Sequence, residues 1–264
     1  MTDGIPVDRG RRPPIGVVFL AGIALVVLVG IVVLALAGFF STSASTPTRS
    51  SADLVAMTPD ALAAAPGLRY GLSIETTDVR GGQGLASSGE IDLQGNRFAG
   101  SADPGRAASM LLFGGPDRGS VVLADGLFVQ TEDGPWEAVP IENATPLLPF
   151  VDPSALSTAV SGALGQAQVG GELRTESCGA GICRVVSLLL PPRVTTDLAA
   201  FVSGGQAEPP PADLMPIEAE LWLDPETGFP ARFAAQAVAG PTTTRLVLDL
   251  ERLDPPPSID PPVP

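Results

Sequence analysis

Two cysteines and a short run of carboxylates are the residues whose types and spacing could do chemistry. Cys178 and Cys183 bracket CGAGIC, a glycine-bearing stretch between two segments that read as strands. A structural disulfide across such a hairpin tip is one reading, and closing so short a loop stabilises by about 2 kcal/mol. The other reading is a redox pair, although those are usually C-x-x-C in thiolate-stabilising surroundings. Glu218, Glu220 and Asp224 alternate with Trp222 along one strand face, so two carboxylates could act as acid and base. Alternating acidic residues on a strand face are more often simply solvated.

What is missing narrows the chemistry further. The 264 residues contain no histidine, which removes Ser-His-Asp and Cys-His catalysis and the commonest metal ligand. Two cysteines cannot close a structural zinc site unaided. No cofactor is implied. All 15 basic residues are arginine, against 29 acidic ones, for a net charge of −14. Setting aside residues 1–40 leaves 27 acidic against 12 basic residues. A surface that acidic repels phosphate backbones, so nucleic acid is not an expected partner.

The elements that must position these residues start with the N-terminal segment. Residues 1–14 carry Arg9, Arg11 and Arg12, and Ile15 to Phe40 is an uncharged apolar run of 26 residues. As a helix it spans roughly 39 Å, more than the ~30 Å hydrocarbon core. Signal-peptide apolar regions are shorter, about 7–15 residues. The flanking arginines place residues 1–14 in the cytoplasm and everything after Phe40 outside. The expectation is a single-pass membrane protein with an extracytoplasmic domain. Secretion after cleavage near Ala37, at Ala35-Leu36-Ala37, stays open as the alternative. Leu36-Ala37-Gly38 is followed by Phe39 rather than cysteine, so lipidation at this site is excluded.

Residues 41–51, STSASTPTRSS, have the composition of a flexible linker, and residues 254–264, DPPPSIDPPVP, that of a Pro-rich disordered tail. Between them, residues 52–253 read as one α+β domain. Three short helices are expected: Pro59 to Ala65 with Thr58 as cap, a second behind Asp152-Pro153 carrying Leu156 and Val160, and a third near residues 194–202 carrying Leu198 and Phe201. The remainder alternates as strands in consecutive hairpins. Leu72 and Ile74 share one face of the first strand. Leu246 and Leu248 share a face of the last, with Arg245, Asp249 and Glu251 opposite. The pattern is a sheet with one apolar and one wet face.

ELWLDPETGFPARF, residues 220–233, carries a strand with Trp222, an Asp-x-x-Thr-Gly-x-Pro turn and a return strand. It resembles the penultimate hairpin of LolA-like lipoprotein carriers and of LppX/LprG-type lipid-binding lipoproteins. GLFVQTEDGPWEAVP, residues 126–140, resembles another piece of that pattern, and the order of elements over residues 52–253 is similar. The resemblance implies a strongly curved antiparallel sheet, an open half-barrel, with short helices on its concave face and an apolar space that can hold acyl chains. Candidate lining residues are Leu72, Ile74, Phe113, Phe128, Leu156 and Val160. Further along the chain they are Leu198, Phe201, Leu221, Leu223, Phe233, Leu246 and Leu248. Small residues on the helices (Ala61, Ala63, Ala159, Ala163, Ala199, Ala200) either leave a cavity or permit close helix–sheet packing. The chain departs from the lipoprotein relatives at Phe39, where a helix takes the place of the lipid anchor. A non-catalytic domain binding a lipid or acylated ligand is the expected function. A sensor or interaction module with an envelope protein partner is the alternative.

Overall fold

A computed structural model describes residues 49–79, 81–102, 118–131, 134–141, 152, 154, 158, 162–179, 181–194 and 214–262. The segment 15–40 lies outside these residues. Among those described, no helix is long and apolar enough to cross a membrane.

Eleven strands form one antiparallel sheet. In chain order they are β1 (Gly67–Asp78), β2 (Gly81–Asp92), β3 (Arg97–Ala102), β4 (Arg118–Leu123), β5 (Leu127–Thr131), β6 (Trp136–Val139), β7 (Gln168–Cys178), β8 (Gly181–Leu190), β9 (Ile217–Leu223), β10 (Pro230–Ala239) and β11 (Thr242–Leu253). Their spatial order is β6-β5-β4-β3-β2-β1-β11-β10-β9-β8-β7. The first six strands meander outward from β1, and the chain then crosses to the far edge and meanders back. The first and last strands therefore pair in the middle, and β6 and β7 are the two edges. An open sheet of this order is consistent with a half-barrel.

The period-2 alternation of the sequence becomes a single apolar face. Leu72 pairs with Leu248, Leu248 with Phe233, Phe233 with Leu221 and Leu221 with Val186. This row crosses five strands, and none of its members is more than 3% exposed. Burying each such side chain contributes on the order of 1.5–3 kcal/mol, so the row is a large part of what holds the sheet's centre.

One helix, α1 (Ser51–Ala63), packs on that face through Leu54, Val55, Thr58, Pro59, Ala61 and Leu62. Its start lies earlier than the sequence predicts. Ser50 accepts from the Asp53 amide at 3.1 Å, and the Asp53 carboxylate accepts from the Ser50 amide at 3.1 Å, a reciprocal capping box. Pro59 sits inside the helix, and the Thr58 hydroxyl donates to the Leu54 carbonyl at 3.0 Å. Tertiary burial of the apolar stripe outweighs the cost of an internal proline. Ser51 accordingly belongs to the domain rather than to the linker. The second and third expected helices fall mostly outside the described residues.

The C-terminal segment also differs from expectation. Ile259 is 4% exposed, and the Arg97 guanidinium donates to its carbonyl at 2.9 Å. Pro257 lies against Gly67 so closely that a Cβ there would stand 2.4 Å from the proline ring. Proline denies this stretch a ladder but not a packing surface, so residues 254–262 dock as an extended strap instead of hanging free.

Gly89 and Gly100 are required where Tyr70 crosses the sheet, since a Cβ on Gly100 would stand 2.6 Å from the Phe98 ring and 2.7 Å from the Tyr70 hydroxyl. The Tyr70 and Phe98 rings stack at 6.0 Å. A Cβ on Gly89 would meet the Ala99 carbonyl at 2.4 Å and the Tyr70 ring at 2.7 Å, whereas one on Gly71 would meet nothing. Gly89→Ala is expected to cost about 1–3 kcal/mol in urea unfolding, and Gly71→Ala to stay within about 0.5 kcal/mol of the parent. Equal midpoints for the two variants would refute this reading of the Tyr70 site.

Candidate functional site

The apolar face is the candidate ligand surface. Leu72, Ile74, Leu221, Leu223, Phe233, Leu246 and Leu248 all lie in one buried cluster, as their alternation predicts. Phe128 does not. Leu127 and Val129 are the buried residues of β5, at 3% and 5% exposure, so alternation sends the half-buried Phe128 to the other face and out of the lining set. Phe113, Leu156, Val160, Leu198 and Phe201 lie outside the described residues.

The floor of this face is uneven. The row next to Leu72–Val186 runs Ile74, Leu246, Ala235, Ala219, Leu188, and one step further Ala237 pairs with Thr244. Small side chains thus cluster on β9 and β10, between larger ones on β8 and β11. Segments joining the strands supply Ala163, Leu164, Val194 and Leu214 to the same cluster. Ala219, Ala235 and Ala237 are nonetheless only 5%, 6% and 7% exposed, so this low part of the face is covered.

One polar contact interrupts this surface. The Tyr70 hydroxyl stands 3.3 Å from Ser87 Oγ, which donates to the Ser101 carbonyl at 2.9 Å. Tyr70 and Ser87 are 7% and 5% exposed. Burial pushes the phenol up to about 12, the Ser87 contact opposing it only partly, so Tyr70 stays neutral. The alternating Tyr70, Leu72, Ile74 placed this residue inside, but its hydroxyl partner is three-dimensional information.

The opposite face is ionic. Arg69 is held between Glu90 at 2.8 Å and Glu251 at 2.7 Å, which raise its pKa in that order. Arg232 pairs with Asp249 at 2.6 Å. Arg174 donates to both Glu220 oxygens, at 3.1 and 2.8 Å, and pairs with Glu176. Trp222 lies 6% exposed between the guanidiniums of Arg174 and Arg232, 5.4 and 5.8 Å from its ring. Its indole N–H donates to Glu176 at 2.8 Å. Beside it, Cys183 and Val185 form a second small cluster with Trp222.

The expected disulfide is present: Cys178 and Cys183 are bonded, with Cα atoms 5.7 Å apart, across the β7–β8 turn. Two clefts, of about 620 and 980 Å³, also open on this ionic side. The first includes Glu218 and Glu220, the second Arg69, Asp249, Glu251 and both cysteines. Of the carboxylates raised as acid and base, Glu220 accepts from both terminal nitrogens of Arg174 and Asp224 from the amides of its own turn. Among the described residues no group of three His, Cys, Asp or Glu could hold a metal ion.

The turn that carries the LolA-like resemblance has a structural task. Asp224 accepts from the amides of Glu226 and Thr227 at 2.9 and 2.8 Å and from the Thr227 hydroxyl at 2.9 Å. Gly228 has φ +71°, and a Cβ there would stand 2.7 Å from Met57. The motif shapes a turn on which α1 rests.

Fold and site together define an open antiparallel sheet with one apolar and one ionic face. No family model matches the chain, and no curated protein matches it. Its structural neighbours are the LppX and LolA-superfamily proteins that the motifs resemble. The lipoprotein LppX of Mycobacterium tuberculosis aligns over 80% of this chain and 98% of its own, at 12% identity and a TM-score of 0.45. A LolA-superfamily protein of Nitrosomonas europaea aligns over 78% and 94%, at 11% identity and a TM-score of 0.28. MucB in its complex with MucA, from Pseudomonas aeruginosa, aligns over 76% and 56%, at 13% and 0.33. These likenesses concern the fold.

Glu176 gives this face a pH signature. Its hydrogen bonds from Arg174 first, then from Trp222, lower its pKa below the usual carboxylate range. Its contribution is therefore complete above the ordinary value of about 4.3 and is lost as pH falls through the lower folded value. In a Trp136→Phe background, Trp222 fluorescence should stay constant from neutral pH to about 4.5 and change reversibly below it. Glu176→Gln should abolish that step, and an unchanged step in this variant would exclude Glu176 as its source.

Proposed function

We propose that this chain is a membrane-tethered extracytoplasmic domain that holds a lipid or other acylated ligand on the apolar face of its sheet, without catalysis. The observation that carries the reading is the alanine trough of β9 and β10, set in the apolar face of the sheet. Acyl chains require apolar area and little else, which fits a face whose buried polar groups, among the described residues, are Tyr70, Ser87, Thr58 and Thr244. The LolA/LppX-like motifs support the same class of ligand. The uncharged run at residues 15–40, with arginines before it, supports the tether and the extracytoplasmic side. Catalysis has no support in a chain without histidine whose Glu220 is ion-paired. The eleven-residue edge strand β7, with Val169 and Leu173 exposed, favours a second reading as a protein-interaction module.

The test is native mass spectrometry of the domain cut from its membrane anchor by a protease site placed within residues 41–48. An adduct of acyl-lipid mass, recovered by solvent extraction, is the expected result. Bare polypeptide mass, with no lipid in the extract, would overturn the carrier reading and favour the interaction module.

A further inference from the structure

The chain enters its domain at a pinned point. The Arg184 guanidinium, on β8, donates to the backbone carbonyl of Arg49 and to Glu172, the latter at 2.7 Å from Nε. Arg49 in turn donates to the carbonyls of Pro225 and Glu226 in the β9–β10 turn. Ser50 then caps α1 at once. Arg49 therefore lies at the end of the sheet where the β7–β8 tip and the β9–β10 turn stand.

That end carries an apolar tip. Ile182 is 63% exposed, two residues from Arg184 on the same side of β8, roughly 7 Å further along the strand. CGAGIC contains no charge, and the disulfide closes it. Cys183 and Val185, buried against Trp222, hold the base of the tip in place. The opposite end of the sheet carries Val79, 83% exposed, at the β1–β2 turn.

Chain length separates the two ends. Residues 41–48 span at most roughly 28 Å between the apolar run and Arg49. β1, with 12 residues, puts Val79 roughly 40 Å from the entry end. With the strands upright on the membrane, the tether can hold the Ile182 end at the surface, whereas it is too short to present the Val79 end. We propose that the disulfide-closed β7–β8 tip, led by Ile182, rests on the surface of the lipid bilayer in which the chain is anchored. The inference rests on the proposed membrane anchor. Around the tip Arg49 and Arg184 stand against Glu172, Asp224 and Glu226, which leaves no excess of positive charge, so the matching surface is zwitterionic rather than anionic.

The full-length chain, reconstituted in phosphatidylcholine vesicles containing brominated phosphatidylcholine, tests it. Ile182→Trp and Val79→Trp are compared in a Trp136→Phe background, with buried Trp222 common to both. The expected result is flotation of both with the vesicles and at least about twofold stronger bromine quenching of Ile182→Trp. Flotation with equal quenching, or with none, overturns the tip contact and leaves the anchor standing. A chain that does not float overturns the anchor and the tip contact together.

Discussion

The pairing of β1 with β11 is the constraint on which the rest of the structure depends. Eleven consecutive pairs, from Gly67↔Leu253 to Thr77↔Thr243, join the first strand of the sheet to the last. Every other strand reaches the centre through one of these two. β2 to β6 hang from β1, and β10 to β7 hang from β11. A one-residue slip in this ladder would turn Tyr70, Leu72 and Ile74 away from Leu250, Leu248 and Leu246 and break the apolar face in two. The pairing is also the most distant in sequence, so the sheet cannot be completed until the whole chain is present. The docked strap of residues 254–262 follows β11 directly and reinforces the junction by packing on Gly67 and Arg97.

Around that ladder the two faces do different work. The apolar face gains energy by leaving water, and the gain is proportional to area rather than to geometry. The ionic face gains little from each exposed pair, on the order of 0–1 kcal/mol, but its pairs are directional. Arg69 ties β2 to β11 across β1, and Arg174 ties β7 to β9 across β8. Such bridges spanning three strands fix how neighbouring strands lie side by side. Trp222, stacked between guanidiniums over the disulfide, does the same for the returning half. Of the carboxylates that looked like candidate acids, Glu220 is part of this bracing and Asp224 holds the β9–β10 turn.

How legible all this was depends on the range of the interaction. Alternation over a few residues is local, so β1, β8, β10 and β11, and the inward set Leu72, Leu221, Phe233 and Leu248, follow from pattern alone. The Asp224 turn and the Cys178–Cys183 bridge are local as well. Phe128 is misplaced because Leu127, Phe128 and Val129 stand in succession in β5, and three apolar residues in a row do not show which of them points inward. Pro59 suggested a helix start by its own preference, whereas Ser50 and Asp53 mark the true one by their mutual hydrogen bonds. The C-terminal strap was read as loose because proline composition reports the absence of a ladder. It says nothing of Gly67, nearly 190 residues earlier, which leaves room for Pro257.

The separation of the two kinds of stabilisation bears on how such a sheet could hold a ligand. Ladder hydrogen bonds lie in the plane of the sheet and are satisfied strand to strand, whatever covers the apolar face. Contacts with α1, Ala163, Leu164, Val194 and Leu214 lie perpendicular to that plane and are apolar. Exchanging one apolar partner for another over the alanine trough changes buried area, at about 25 cal/mol per Å², and breaks no backbone hydrogen bond. An acyl chain can therefore replace covering side chains at little net cost, provided the area it buries matches the area it uncovers. A polar ligand would have no such exchange, because among the described residues the trough offers it only Thr244, which already faces Thr76 at 3.3 Å. For the proposed acylated ligand the same argument sets the direction of selectivity: chain length and branching, which change area and fit, should matter more to this face than the chemistry of the headgroup.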